Sequence, residues 1–365
     1  ASAGGAGTGD PGARGTGLEG AHVGDLHGES GVRRGVRVVA EIGVNHDGEA
    51  SRACDLVENA GKSGADSVKF QIFSAADLLS NQAGLATYQK RADHDVRDML
   101  ARLELTDADL TRVRETARRC GVGFIATPFS LTDLPRLAAL EVDAVKIASP
   151  DVVNTPLLEA AAELGRPMLV STGAADLDEI APAAELLRQH RPGAWLLHCV
   201  SSYPTPVDQA GLAGIRVLAE RFGLPVGYSD HTPSLPTGGL AVAAGASVIE
   251  KHLTHDPRAV GPDHAASLGP ERFTEYVRLI REAESMMGPP VKQVTDHERE
   301  VRQLSRQSLC AARDLKAGQV LRREDLCIKR PGTGIPAALL EATVGRRLGR
   351  DVRDNDLLTN DDLAV

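Results

Sequence analysis

Short apolar segments recur along most of the chain, and each runs into a polar or ionisable residue at its C-terminal edge. Eight are visible, at 36–44, 67–73, 122–129, 144–149, 167–173, 194–200, 225–230 and 247–254. Their edges carry Glu41, Lys69 with Gln71, Thr127, Lys146 with Ser149, Ser171, His198 with Ser201, Ser229 with His231, and Glu250 with His252. Between them lie intervals in which apolar residues recur at three and four spacing, clearest at 51–64, 107–120, 155–165, 177–190, 211–222 and 272–287. Gly64, Gly121, Gly165 and Gly223 close such intervals, where a left-handed helix stop is expected. Strand alternation puts Lys69 and Gln71 on one face and Glu250 and His252 likewise. One such pair alone reads best as a satisfied polar layer; eight coincident positions read as a site. The pattern predicts an α/β fold, a (β/α)8 TIM barrel over 35–288 with its functional groups at the carboxyl ends of the strands.

The flanks differ. Residues 1–34 are rich in Gly and small polar residues without period, so a disordered extension is expected there. Charge and proline make 289–304 a linker with a turn of helix. The remainder, 305–365, holds a near-repeat: Arg313-Asp314-Leu315 matches Arg350-Asp351-Val352, Gly318 matches Asn355, Leu321 matches Leu358, and Asp325-Leu326 matches Asp362-Leu363. Gly and Asn both tolerate positive φ, so the equivalence is physical, and a small pseudo-symmetric β-rich domain follows.

Composition narrows the function classes. The 365 residues are 42% hydrophobic and 25% charged, an ordinary globular balance. A net charge of −9 without a basic run excludes a nucleic-acid partner. No apolar run is long enough for a membrane span, and the N-terminus lacks a signal-peptide layout, so a cytoplasmic protein is expected. Five cysteines without a C-x-x-C pair read as reduced thiols rather than a disulfide frame or zinc knuckle.

The motifs, taken in order, are AEIGVNHDG at 40–48, GADSVKFQ at 64–71, ATPFS at 126–130, VKIAS at 145–149, STG at 171–173, HCVSSYPTP at 198–206, GYSDHT at 227–232, EKHLT at 250–254, GPDHAASL at 261–268 and KRPGTGI at 329–335. With that tail, the sequence resembles the sialic acid synthase family. Its members join phosphoenolpyruvate to an N-acyl amino sugar aldehyde, on a metal-bearing barrel followed by an antifreeze-like (SAF) domain.

The resemblance assigns roles. His231 and His252, at adjoining strand ends, are the implied ligands of a divalent ion, Mn²⁺ first, with Mg²⁺ or Co²⁺ as alternatives; water and substrate oxygens complete the shell. Zinc is disfavoured for want of a third soft ligand. Lys69, Lys146, Ser149, Ser171, Ser201 and Ser229 occupy the positions that hold phosphoenolpyruvate. Glu41 is the implied catalytic carboxylate, directing water onto C2 of that substrate; a plain salt bridge to Lys69 or Lys146 is its other reading, and such a lysine would keep it ionised. Tyr203, Gln71 and Asp263 fall where relatives meet the open-chain amino sugar. Ala265 stands where GPDHKASL relatives have lysine, so N-acetylmannosamine itself is not fixed as acceptor. Arg330 is implied to reach the partner subunit's active site in a domain-swapped homodimer.

The expected reaction is therefore a phosphoenolpyruvate-dependent condensation, with Lys69, His231 and His252 beside Glu41 as catalytic groups, giving a 2-keto-3-deoxy sugar acid and phosphate. Two enzymatic alternatives are the same chemistry on another aldehyde of secondary metabolism and a metal-dependent aldolase. The non-enzymatic one is a silent barrel kept as a scaffold.

Overall fold

A computed structural model describes residues 35–80 and 95–364; the expectation for 1–34 lies outside the described residues. Eight strands, β1 (Arg37–Gly43), β2 (Ser67–Ile72), β3 (Gly123–Pro128), β4 (Ala144–Ile147), β5 (Met168–Ser171), β6 (Ala194–Cys199), β7 (Val226–Asp230) and β8 (Val248–His252), close in sequence order into a parallel barrel. Each lies inside one of the segments that the apolar pattern marked.

Alternation divides every strand between two cores. Val39, Ile125, Leu169, Trp195, Leu197 and Val248 point inward and fill the barrel floor. Their neighbours, among them Val38, Val68, Phe70, Phe124, Val170 and Leu196, point outward under the helices. A floor packed with large side chains leaves only the carboxyl-end layer free for polar groups, which is why the barrel has one chemical end.

Local signals set the helix ends. Thr106 and Asp109 form a capping box for Asp107–Arg119, and Asp176 with Glu179 does the same for Leu177–Gln189. Such a cap is worth about 1 kcal/mol. Gly64, Gly121, Gly165 and Gly223 all have φ between +64° and +84°. Two barrel helices went unmarked by apolar spacing, Leu134–Ala139 and Thr237–Ala243. The second contains Gly238 and Gly239, poor helix formers that are there for contact: a Cβ on Gly238 would stand 2.6 Å from Tyr276 Cζ on helix Pro270–Met287.

The chain divides at Gly288 into a second compact unit. The segment expected as a linker with a turn of helix contains a longer helix, Asp296–Ser305, started by a Thr295–Glu298 capping box. That signature, T-x-x-E before a periodic run, was present in the sequence. Strands β9 (Ser308–Ala311) and β10 (Leu326–Lys329) pair antiparallel, with Cys310 opposite Cys327 and both thiols free. A core of Leu309, Leu315, Leu321, Leu326, Leu348, Val352 and Leu358 holds the unit together. The near-repeat is a structural symmetry. Asp351 Oδ1 accepts from the Ala317 amide (2.8 Å) and Asp314 Oδ1 from the Asp354 amide (2.8 Å), the same bond in both directions. Gly318 and Asn355 both take positive φ, +82° and +69°.

Candidate active site

Register brings the polar edge residues together. Glu41 pairs with Lys69 on one side and His252 on the other, Gln71 with Thr127, and Ser229 with Glu250. Residues in register on parallel neighbours share a face, so all of these enter the mouth of the barrel. They line a cleft of about 530 Å³ together with Lys146, Ser149, Ser171, Ser201, Tyr203, His231 and Asp263. Two of the residues marked from the sequence do not line it: His198 is turned away on its strand, with Nε2 on the Ala210 carbonyl (3.0 Å) and its ring stacked on Tyr228, and Arg330 belongs to the second unit, where it is exposed.

At the centre is a chain of alternating charge. Lys69 Nζ lies 3.1 Å from Glu41 Oε2 and 3.4 Å from Glu250 Oε2, and Lys146 Nζ lies 4.0 Å from Glu250 Oε1. Gln71 Nε2 donates to Glu41 Oε1 (3.3 Å) and Ser229 Oγ to Glu250 Oε1 (2.8 Å). All four ionisable side chains are buried. Two anions and two cations out of water are tolerable only because each faces an opposite charge.

The arrangement separates the two carboxylates. Burial pushes Glu41 up to about 7 against the pull of Lys69, and the negative Glu250 adds to the rise. Burial acts upward on Glu250 too, but Lys146, Lys69 and the Ser229 hydroxyl hold it near 2. A lysine neighbour was expected to keep Glu41 ionised; Lys69 does pull it down, but burial outweighs that pull and Glu250 adds to the rise. Burial lowers Lys146 to about 8, with Glu250 opposing. Lys69 also feels burial, yet Glu250 and Glu41 together hold it above the ordinary lysine value. Glu41 is thus poised to exchange a proton near neutrality while Glu250 stays anionic.

The imidazoles of His231 and His252 sit with centroids 5.4 Å apart, and the Tyr203 ring lies 4.1 Å from His231. His231 Nδ1 bonds the Val200 carbonyl (2.9 Å), which leaves Nε2 toward Ser229 Oγ at 3.5 Å. Cys199 Sγ stands 3.8 Å from the same Nδ1, on the edge already bonded to the carbonyl. His252 Nδ1 is buried without a hydrogen-bond partner, with Asp263 Oδ2 at 4.0 Å, and burial holds this imidazole well below its usual value. A neutral, unpartnered imidazole nitrogen beside a second histidine suits a metal ligand pair. Among the described residues no group of three or more His, Cys, Asp or Glu side chains is arranged to hold an ion, so any ion here would take the rest of its shell from water or substrate.

Hydroxyls ring the lysines. Thr127 Oγ1 and Ser171 Oγ are buried with no partner, an arrangement that costs free energy until something fills it. Ser149 Oγ is already engaged, accepting from the Gly173 amide (3.0 Å) and donating to Cys199 Sγ (3.5 Å), and Ser201 lies exposed at the rim. The opposite wall is apolar: Val44, Phe73, Leu78, Val96, Met99 and Phe129. Glu250 and Thr127 are the residues that sequence reasoning placed at strand edges without a role. Their signal was the two-residue spacing from His252 and from Phe129 in otherwise apolar strands, but pairing to two lysines from distant strands is not visible locally.

A closed barrel with a buried cationic pair, open hydroxyls and a histidine pair at its carboxyl end is an anion-receiving enzyme site. The chain belongs to the NeuB family, matched over residues 56–292, and residues 306–364 match the SAF domain. It is 39% identical over 323 residues to an N,N'-diacetyllegionaminic acid synthase of Legionella pneumophila, covering 86% of this chain and 91% of the relative. The mouse N-acetylneuraminate-9-phosphate synthase is 31% identical, covering 80% of this chain and 82% of the relative. Among solved structures, the N-acetylneuraminic acid synthetase of Leptospira borgpetersenii in complex with citrate superposes with a TM-score of 0.67 at 31% identity, covering 73% of this chain and 90% of that one. These relatives are sugar acid synthases, and the chain is an enzyme of that transferase class. No described helix is long and apolar enough to cross a membrane.

Proposed function

We propose that this enzyme condenses phosphoenolpyruvate with an open-chain N-acyl amino sugar aldehyde and water, releasing phosphate and a 2-keto-3-deoxy sugar acid. The observation that carries the reading is the Glu41–Lys69–Glu250–Lys146 chain beside the open Ser171 and Thr127 hydroxyls. Lys69 and Lys146 offer charge to a phosphate and a carboxylate, while Ser149, Ser171, Ser201 and Ser229 surround them. Those anions would compete with Glu250 for the lysines, so the site is charged before substrate arrives and needs little reorganisation.

In the reaction C3 of the enol phosphate forms a bond to the aldehyde carbon, whose oxygen takes a proton to become a hydroxyl. Positive charge develops at C2. Water adds there as Glu41 Oε accepts its first proton; the resulting C2 hydroxyl gives its proton to the departing phosphate as the C2–O bond breaks, leaving the ketone, and the proton on Glu41 balances the one taken up by the aldehyde oxygen. A divalent ion held by His231 Nε2 and His252 Nδ1, with Mn²⁺, Mg²⁺ or Co²⁺ each chemically suited, would supply Lewis-acid polarisation of the aldehyde oxygen. Tyr203, Gln71 and Asp263 face the same space and are placed to hold the acceptor, Asp263 by accepting from sugar hydroxyls.

The apolar wall favours a deoxygenated, multiply acylated acceptor, such as a diacetamido deoxyhexose, over a fully hydroxylated one. A silent scaffold would have no reason to retain two unpartnered buried hydroxyls, and an aldolase none for the paired lysines. The test is incubation with phosphoenolpyruvate, Mn²⁺ and a panel containing N-acetylmannosamine, a diacetamido deoxyhexose and simple aldehydes, following phosphate release and product mass. Phosphate release that requires an aldehyde and yields the summed mass supports the reading. Carbon–carbon bond formation with phosphate retained, or no turnover with any aldehyde, ends it. Assembly belongs to the same proposal: Arg330 completes the site of a partner subunit in a swapped homodimer.

A further inference from the structure

The NHDG segment after β1 contributes nothing to the charge chain, yet Asn45 and His46 are among the most deeply buried polar groups of the barrel, and Asp47 is half-buried. Asn45 Nδ2 donates to the Leu253 carbonyl (3.0 Å) and to Ser267 Oγ (2.8 Å), and Ser267 Oγ in turn donates to the Asp263 carbonyl (2.6 Å). His264 is fully buried. Its Nε2 meets Asp47 Oδ1 at 2.9 Å and its Nδ1 meets Thr254 Oγ1 at 2.7 Å. The carboxylate partner fixes the proton on Nε2, so Nδ1 accepts from the Thr254 hydroxyl. Arg52 holds the other oxygen of Asp47.

Thr254, His264 and Asp47 are thus strung in the order of a nucleophile, base and orienting acid, but the hydroxyl is completely buried and can meet no substrate. The string is mechanical. It ties both ends of the loop 253–268 to the loop after β1, and Asp263 sits between the tied points. Asp47 itself is at φ +53°, a conformation that L residues rarely adopt and that Asp or Asn tolerates best. Backbone strain of this kind persists where surrounding contacts fix the residue, and here the bonds from Asp47 to His264 and Arg52 do so. Where the latch places Asp263 is also clear: a Cβ on Gly43 would stand 2.9 Å from Glu41 Oε1, 3.3 Å from Gln71 Nε2 and 3.4 Å from Asp263 Oδ2, so the three groups converge on one glycine.

We propose that Asp47, His264 and Asn45 are positioning residues that latch the loop 253–268 to β1 and thereby hold the Asp263 carboxylate over Gly43 beside His252. The consequence for catalysis rests on the reading of Asp263 as an acceptor contact; the latch itself does not.

Asp47→Gly keeps the positive φ and removes the side chain, whereas Asp47→Asn keeps both the φ and an acceptor for His264 Nε2–H. Hydrogen–deuterium exchange in 253–268 should rise about tenfold or more in Asp47→Gly and stay near the parent rate in Asp47→Asn. With N-acetylmannosamine and a diacetamido deoxyhexose as probes, the acceptor KM should rise roughly tenfold in Asp47→Gly, while phosphoenolpyruvate affinity, titrated without acceptor, stays within about twofold. His264→Gln should repeat the Asp47→Gly pattern. Unchanged exchange overturns the latch whatever the kinetics do. Faster exchange with an unchanged acceptor KM overturns the positioning role. In that second case Asp263→Ala separates the causes: a raised KM there means the latch was wrongly assigned, and an unchanged one means the reading of Asp263 was wrong as well. A matching loss of phosphoenolpyruvate affinity in Asp47→Gly would mark a general loosening of the barrel and overturn the proposal too.

Discussion

Glu250 Oε1 and Lys146 Nζ stand 4.0 Å apart inside the barrel mouth, and that second cation, added to the Lys69 that both carboxylates share, holds Glu250 low while burial pushes Glu41 up. Replacing Glu250 by Gln removes an anion from both Glu41 and Lys146. Glu41 loses a repulsion and its value should fall; Lys146 loses a support and its value should fall as well. Both limbs of the pH profile of kcat/KM should therefore move toward acid, with kcat reduced about tenfold or more. The melting temperature should drop, since an unbalanced buried cation costs about 3–5 kcal/mol. A profile that shifts on one side only would contradict the shared network.

The unsubstituted enzyme should show a narrow bell. The base form of Glu41 appears as pH rises through about 7, and the charged form of Lys146 is lost as pH rises through about 8. These are properties of the coupled pair rather than of isolated groups. In Glu41→Gln the acid limb should vanish and kcat should fall about 10²-fold or more, with phosphoenolpyruvate binding retained. Near-normal kcat in that variant would reduce Glu41 to a counter-ion.

Metal dependence is tested at His231 and His252. Chelation should abolish turnover and Mn²⁺, Mg²⁺ or Co²⁺ restore it, while His231→Ala and His252→Ala should each weaken Mn²⁺ binding, read by electron paramagnetic resonance, by about 10-fold or more. Full activity in enzyme verified as metal-free would sink the assignment.

Arg330 is tested by mixing. An Arg330→Ala chain and a Glu41→Gln chain, each with little activity alone, should recover up to one working site per heterodimer if the arginine acts in trans. Verified heterodimers without recovery would place its action in cis or remove it.

Sequence made the barrel legible because its two signals are local. Strand alternation is a property of adjacent residues, and so is the polar edge at which Lys69, His231 and His252 stand. Helix Thr237–Ala243 was hidden because its glycines serve the approach of Tyr276, a residue of another helix. The role of Glu250 was hidden for the same reason: its edge position could be read, but its partners Lys69 and Lys146 come from β2 and β4. The upward shift of Glu41 was not legible because it comes first from burial, which depends on the closed barrel around it rather than on its neighbours in sequence. The tie between His264 and Asp47 was not legible, since the two residues are 217 apart in sequence.

The reciprocal bonds of the second unit make its two halves depend on one another. Asp314 completes the turn of the later half and Asp351 that of the earlier half, and Leu315 and Val352 pair in an antiparallel bridge between them. Neither half possesses the acceptor that its own turn requires. The two halves are therefore obligate partners, each incomplete until it meets the other. A cut between the halves should for that reason leave fragments that reassemble on mixing, each supplying the other's missing aspartate.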